Sequence, residues 1–482
     1  MFSASSATAS SSSATAGTRR GSGAARLAVG VLASALVMAG ALAGAGGAVA
    51  DEAPQHQGGA TAALDGLKTF DTAVLRTDGK DQQLPAGLFE MTVDGGGKLK
   101  TYCIDIHNPT QDQAKYLETP WNQTSLGANK NAGRIRWILE HSYPQTDDLQ
   151  ALAKEAGTGP LTERTAAAGT QVAIWRYSDD ADVRASDAQA EKLADWLEKS
   201  ATDTAEPKAS LALDPGAVSG RSGERIGPVT VRTNAGQVSV TPPADSASGV
   251  KITDKKGKAV TTAANGSQLF FDVPADAADG SASLTVQATT SVPVGRAFAG
   301  ATKSQTQILA GSSESTVSAT ATATWAGKGA IPAVTAKKNC AKGGVDVTAS
   351  NKGDAPFTFD LAGAQHTVQP GKSETVTVPV AEDQAYDVTV TGPGGFTRTF
   401  KGVLDCKTTG TDTGGLDVQT ADQPVTTTAT AGGSTAGAEG NLAETGSSNA
   451  TPIIAGIAIA LVVIGGGAVF FLRRRKDQST GE

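Results

Sequence analysis

Hydrophobic and polar positions fall into three kinds of pattern along this chain, and their order predicts its architecture. Between about Ala63 and Ser200 extended and helical periods are mixed. Leu88-Phe89-Glu90-Met91-Thr92-Val93 alternates apolar and polar residues up to a Gly95-Gly96-Gly97 turn, and Leu99 to Ile106 resumes the extended character. Such alternation gives each strand one buried and one wet face, so the segment reads as a hairpin. Three helical patterns follow. Arg134 to His141 carries Ile135, Ile138 and Leu139 and stops at Ser142-Tyr143-Pro144. Glu163 to Tyr177 starts after Thr162, a residue suited to capping, and ends in an Asp-rich turn. A third begins at Ser186, with Gln189 three residues on as in a capping box, and gathers Leu193, Trp196 and Leu197 on one face.

After Glu206-Pro207 only short alternating runs remain. Val229–Arg232, Val238–Val240, Leu269–Val273, Ser283–Ala288 and Thr316–Trp325 are split by Gly, Pro and Asn, the spacing of a β-sandwich. A second β unit carries Val345–Val347, Phe357–Phe359, Glu374–Val380, Tyr386–Thr391 and Phe396–Phe400. At that size its core alone is marginal. Thr408 to Asn441 offers almost nothing to bury and reads as a disordered stalk with a reach of about 30–35 Å.

Two uninterrupted apolar runs lie near the ends. Leu27 to about Ala43 follows Arg19, Arg20 and Arg26 and precedes Ala48-Val49-Ala50, the pattern of a secretory signal peptide cleaved after Ala50. Ile453 to Leu472 has no charged residue and as a helix spans about 30 Å, the thickness of a bilayer core. Arg473, Arg474, Arg475 and Lys476 follow at once, holding the C-terminus on the cytoplasmic side. Leu442-Ala443-Glu444-Thr445-Gly446 precedes that span. Pentapeptide, apolar span and basic tail together resemble a sortase sorting signal, LAxTG in place of the commoner LPxTG. The resemblance implies cleavage between Thr445 and Gly446 and transfer of Thr445 to a peptidoglycan precursor. An ordinary single-span anchor is the plainer alternative.

Removing those ends leaves about 395 residues, room for two to four domains. A net charge of −7, with no basic patch outside the termini, argues against a nucleic-acid partner. Aromatics at 5% suit β modules and stalks better than one large enzyme core. The predicted fold is therefore multidomain: an α+β domain over 63–205, two all-β Ig-like sandwich modules over 206–330 and 331–407, the stalk over 408–441, the 442–446 motif, a transmembrane helix over 453–472 and a basic tail over 473–482. A flexible N-terminus over 51–62 follows the signal peptide of 1–50.

Cysteine use points to the chemistry. Three cysteines in an exported chain leave one unpaired. Cys340 and Cys406 sit at the first and last strands of the small β unit, where a disulfide would staple the weakest core by about 4 kcal/mol. Cys103 is then the odd thiol, at the strand end Thr101-Tyr102-Cys103-Ile104-Asp105. Downstream, Gly169-Thr170-Gln171-Val172-Ala173-Ile174-Trp175 falls on the second helix. That pair, with Arg136-Trp137-Ile138-Leu139 and Tyr143-Pro144 between them, resembles the thioester domain of Gram-positive surface adhesins, also called the TQxA domain. The likeness spans roughly residues 65–200.

The resemblance implies a γ-glutamyl thioester between Cys103 and Gln171, with Tyr102, Asp105, Thr170, Ala173 and Trp175 as supporting motif residues. An amine on a partner protein or surface would attack that bond once and remain covalently attached. The expected protein is thus a wall-anchored adhesin and not a turnover enzyme. A structural envelope protein with an unreactive thioester is the second reading. The third is a secreted cysteine transpeptidase or peptidase using Cys103 and His107, although three residues within five positions of a strand rarely converge on one point. No metal-ligand spacing, phosphate loop or GxSxG motif is present, so no cofactor and no metal are expected.

Overall fold

A computed structural model of the chain describes residues 58–243 and 249–408. The signal peptide with its Ala50 cleavage point, the stalk beyond 408, the Leu442–Gly446 motif, the Ile453–Leu472 span and the basic tail lie outside those residues. Among the described residues no helix is long and apolar enough to cross a membrane.

The hairpin predicted around Gly95–Gly97 belongs to a six-stranded closed sheet. Strand β1 (Thr61–Thr77) runs antiparallel to β2 (Lys80–Val93), which pairs with β3 (Lys98–Cys103). The start of β1 also pairs with β4 (Lys115–Thr119), and its end takes β5 (Val183–Ala185) as an outer strand. Closure comes from far along the chain. Gln307–Ser312 lies against β3, with Gln307 opposite Cys103, and Ala297–Gly300 joins Gln307–Ser312 to β4. Closing a sheet on itself removes its open edges and their unpaired peptide groups.

This corrects the expected boundaries. Residues 297–312, read as part of a β-sandwich, are barrel strands, so the domain does not end at 205. The expected flexible N-terminus is ordered from Gly59, which exchanges two backbone hydrogen bonds with Ser318 of 2.9 and 3.1 Å. Ala60 and Ala62 are fully buried.

Four helices cover the barrel: α1 (Ala132–Glu140), α2 (Leu149–Ala156), α3 (Glu163–Ser178) and α4 (Ala188–Ser200). Helix α2 went unpredicted, although Leu149, Leu152, Ala153 and Ala156 fall at i, i+3, i+4 and i+7 on one face. Thr162 caps α3 as expected, in a reciprocal pair with Thr165. The expected box at Ser186 does not form. Asp187 caps α4 instead, accepting from Gln189 N and Ala190 N, while the Gln189 side chain accepts from Gly159 N. Helix α3 is buried nearly all round, packed on β1 and β2 and against α4. Gly169 permits that approach, because a Cβ there would stand 2.5 Å from the Ala190 carbonyl oxygen.

Between the barrel's early and late strands the chain builds the first β module, a four-stranded sheet and a five-stranded sheet. Its long strands Gly280–Ser291 and Glu314–Ala326 pair throughout, and the chain leaves and re-enters them to supply residues 297–312 to the barrel. One continuous apolar core therefore runs from Ala60 to Trp325 through both units. At their junction the fully buried Glu118 carboxylate receives Arg296 Nε at 2.9 Å and Ser210 N at 2.9 Å. Leaving that charge unpaired would cost about 3–5 kcal/mol.

The second β module, Pro332–Val403, is a three-stranded sheet facing a four-stranded sheet with its own core around Phe357, Phe359 and Phe400. Cys340 and Cys406 are bonded, with Cα atoms 5.1 Å apart, as expected from their positions at its two ends.

Barrel closure gives a direct expectation. A fragment of residues 58–205 lacks two of six barrel strands, including the one beside Cys103, and should show no cooperative thermal transition. A fragment of 58–330 should melt cooperatively with native near-ultraviolet circular dichroism. Cooperative melting of the shorter piece would refute the shared core.

Candidate functional site

Cys103 ends β3, where the strand leaves the barrel, and Gln171 lies midway along α3 where that helix crosses the strand. Both are wholly buried. The Gln171 carboxamide is held from two sides by the Cys103 backbone. Cys103 N–H donates to Gln171 Oε1 at 3.0 Å, and Gln171 Nε2 donates to the Cys103 carbonyl at 2.8 Å. This fixes the amide carbon beside the cysteine and aims a backbone donor at the oxygen that would gain charge if the thiol added to it.

The sulfur has its own neighbours. Asp105 N–H donates to Cys103 Sγ at 3.2 Å. Trp175, whose buried indole N–H has no hydrogen-bond partner, also favours the thiolate. These lose to the surroundings: burial first, then the Asp179 and Asp105 carboxyls, push the thiol well above its ordinary value. Cys103 at rest is a neutral thiol and needs a proton acceptor to become a nucleophile.

Two carboxyls close by are poised differently from surface acids. Asp105 is fully buried, and its carboxyl is pushed well up by burial and by the Asp405 charge. Its Oδ2 accepts from Asn108 Nδ2 at 2.7 Å. Asp179, the cap residue after α3, accepts from Ile106 N at 3.0 Å and from the Ser178 hydroxyl, yet burial pushes it up to about 7. A carboxyl titrating near 7 can take or return a proton at neutral pH.

The other motif residues are structural. Tyr102 is fully buried and donates to the Tyr143 carbonyl at 2.7 Å, tying β3 to the segment after α1. Thr170 turns its hydroxyl onto Ala166 O of its own helix at 2.8 Å, and Ala173 is a buried small side chain. His107 is half-buried, its imidazole pushed down by burial, and it makes no hydrogen bond to Cys103.

Three contributors were missed in the sequence. Asp179 was read only as part of an Asp-rich turn. Ser304-Gln305-Thr306-Gln307 is a buried polar run across the site: Gln305 Nε2 donates to Asp105 O at 2.7 Å, and Ile104 N donates to Thr306 O at 3.1 Å. Asp405 arrives from the second β module, where it accepts from the Thr306 hydroxyl and burial pushes it up to about 6. The legible signal for the polar run was four consecutive polar residues leading into the apolar Ile308-Leu309-Ala310.

Comparisons with known proteins account for two parts of the chain. The family profile described as Thioester domain matches residues 100–203, which contain Cys103, Gln171 and all four helices. The profile described as Bacterial phospholipase C, C-terminal domain matches residues 332–403, the second β module. No curated protein matches the chain. Among solved structures it is similar to the Bacillus anthracis TIE protein at 15% identity, over 72% of this chain and 81% of that one, with a TM-score of 0.26. It is also similar to the thioester domain of the Enterococcus faecium TIE86 protein at 18% identity, over 55% of this chain and 96% of that one, with a TM-score of 0.26. At those TM-scores the likeness carries no argument here. The profile match and the geometry together support a protein built around a thioester domain.

The raised carboxyls set a pH dependence. An acid whose folded value exceeds its unfolded one keeps its proton longer when folded, so stability is full at low pH and declines as pH rises through the folded value. For Asp179 the window runs from about 4 to about 7. In chelator-treated buffer the melting temperature should fall by a few degrees from pH 5 to pH 8, and Asp179→Asn should flatten that slope. An identical slope in the variant would remove Asp179 from the account.

Proposed function

We propose that this chain is a cell-wall-anchored surface adhesin whose Cys103–Gln171 thioester captures an amine on a partner covalently. The observation that carries this reading is the two-way clamp of the Gln171 carboxamide on the Cys103 backbone inside a dry site.

The chemistry follows from the groups present. The Asp179 carboxylate, titrating near 7, accepts the Cys103 proton, and the sulfur adds to Gln171 Cδ. The developing oxyanion is met by Cys103 N–H. The C–N bond then breaks, the proton returns to nitrogen, and ammonia leaves. Thiol plus carboxamide has become thioester plus ammonia, with no other reactant. A primary amine from a partner later adds to the same carbon, the C–S bond breaks, and Cys103 regains a proton that the amine gives up. The product is an isopeptide bond at Gln171, so each molecule reacts once. Burial of both residues protects the bond from water in the interval.

Anchoring through Leu442–Gly446, with export by the N-terminal signal, supplies the address that such a capture device needs. A sortase and a peptidoglycan precursor are then partners at one end, and an amine-bearing surface is the partner at the other. The complete burial of Cys103 and Gln171 favours the second reading, an envelope protein with a latent thioester, for as long as residues 304–307 and Asp405 stay in place. A peptidase using His107 has less support, because Gln171 and not His107 meets Cys103.

Intact-mass spectrometry of the purified protein separates these readings. The adhesin reading expects a chain lighter than its sequence by one ammonia, and a methylamine adduct on Gln171 that frees Cys103 for alkylation. Cys103→Ala should retain the ammonia and form no adduct. A missing ammonia with no adduct after prolonged methylamine selects the latent thioester, and an unmodified wild-type mass refutes the thioester altogether.

A further inference from the structure

The face that the second β module lays against the barrel gathers carboxylates from distant parts of the chain. Asp105 follows β3, Asp405 follows the last strand of the module, and Glu382 and Asp383 precede its Ala385–Thr391 strand. One oxygen each from Glu382, Asp383 and Asp405 lie within 4.8 Å of one another. Asn108 Nδ2 links the two sides, 2.7 Å from Asp105 Oδ2 and 3.3 Å from Asp383 Oδ1.

Two oxygens in this group have nothing to satisfy them. Asp105 is 0% exposed and Asp405 9%, yet Oδ1 of each has no hydrogen-bond partner. Their other oxygens are held, Asp105 by Asn108 and Asp405 by the Thr306 hydroxyl. Asp405 is the strongest charged neighbour of Asp105, and Asp383 acts on both. A buried carboxylate oxygen with no donor carries its full desolvation cost, which proteins seldom tolerate without a ligand or a proton. A cavity of about 10 Å³ lies there, lined in part by Asn108, Lys303, Lys338, Asp383 and Asp405, close to the room one small sphere needs.

The charges do not balance within the protein. Lys303 Nζ stands 3.9 Å from Asp383 Oδ2, and half-buried Lys338 acts on Asp405 and Glu382. The three clustered carboxylates (Glu382, Asp383, Asp405) outnumber these two ammonium groups.

We infer that Glu382, Asp383 and Asp405 form a Ca2+ site at the border of the second β module and the barrel, with the orphaned Asp405 Oδ1 as a ligand and Asp105 lying beyond Asn108. The donors are all oxygen, which selects hard cations over zinc or copper. Ca2+ accepts six to eight oxygens in irregular arrangements, whereas Mg2+ demands a near-ideal octahedron. Glu382 is already oriented for the role, its Oε1 accepting from Cys406 N and, at 2.8 Å, from Lys407 N. Neither Cys103 nor Gln171 is a ligand, so the inference stands apart from the thioester.

The test uses the purified chain, stripped with EDTA and titrated with CaCl2, read by calorimetry and by melting temperature. Wild type and Cys103→Ala should both bind one Ca2+ and gain about 5 °C or more at millimolar Ca2+. Asp405→Asn should melt in EDTA at or above the wild-type temperature, because repulsion is relieved, and should lose most of the Ca2+ shift. Should Asp405→Asn not fold, the loss of the shift is read in Asp383→Asn. No heat of binding and no shift in wild type would overturn the site, as would a full shift in the variant that folds. Loss of the thioester in Cys103→Ala with the Ca2+ response intact keeps the two readings separable.

Discussion

The structure rests on closure of one small barrel by two strands from nearly two hundred residues downstream. Without Ala297–Gly300 and Gln307–Ser312, β3 and β4 would be open edges and Cys103 would face water. Closure also dictates the path of everything between. The first β module has to be built as an excursion that starts near β4 and comes back beside it, which is why its core is continuous with the barrel's. Glu118 and Arg296 stand at that crossing, one on β4 and the other just ahead of the returning strand. Their 2.9 Å contact is a buried ion pair of the kind that contributes more to a single arrangement than to net stability.

The reactive pair exploits this rigidity. An amide is a poor acyl donor, so a thiol displaces its nitrogen only if the fold holds the groups close and meets the developing charge. A strand end fixed by neighbours on both sides supplies the cysteine and its N–H. A helix buried on nearly every side supplies the glutamine in one rotamer. The cost of that precision is a neutral thiol, since the same burial that excludes water opposes the thiolate. The same burial raises the neighbouring Asp179 carboxyl to about 7, so one desolvated site holds both a neutral thiol and an acid that titrates near neutrality.

How much of this was legible depended on sequence distance. The β2–β3 hairpin, the cap at Thr162, the Cys103–Gln171 pair and the Cys340–Cys406 bridge rest on local patterns or on a motif in which each residue type has a chemical reason to be present. Helix α2 was missed although Leu149, Leu152, Ala153 and Ala156 form a helical stripe, because it is only eight residues long. The wrong boundary at 205 has a different cause. The short apolar run Ile308-Leu309-Ala310 in Gln307–Ser312 looks the same whether the strand pairs within a sandwich or closes a barrel, since it reports burial and not partner. Asp405 was invisible for the same reason: nothing near Val403-Leu404-Asp405-Cys406 says that the carboxylate will face Asp105, three hundred residues earlier. Metal-ligand spacing could not have been found either, because Glu382-Asp383 and Asp405 share no short motif.

That long-range meeting bears on how burial and reactivity coexist. A thioester that no amine can reach is useless for capture, and one always open would be lost to water. In this chain the buried polar groups near the site come from two units. Residues 304–307 belong to the barrel and move only with it, whereas Asp405 belongs to a module with its own core and its own disulfide. Module and barrel meet through hydrogen bonds that include Thr306 to Asp405, Asn108 to Asp383 and the long Thr408 to Ser178 contact of 3.4 Å. The apolar cores of the two sides are separate, and Cys340–Cys406 staples the second module at its own two ends. The surroundings of Cys103 and Gln171 are thus drawn from two places, the interior of the barrel and its border with the second β module.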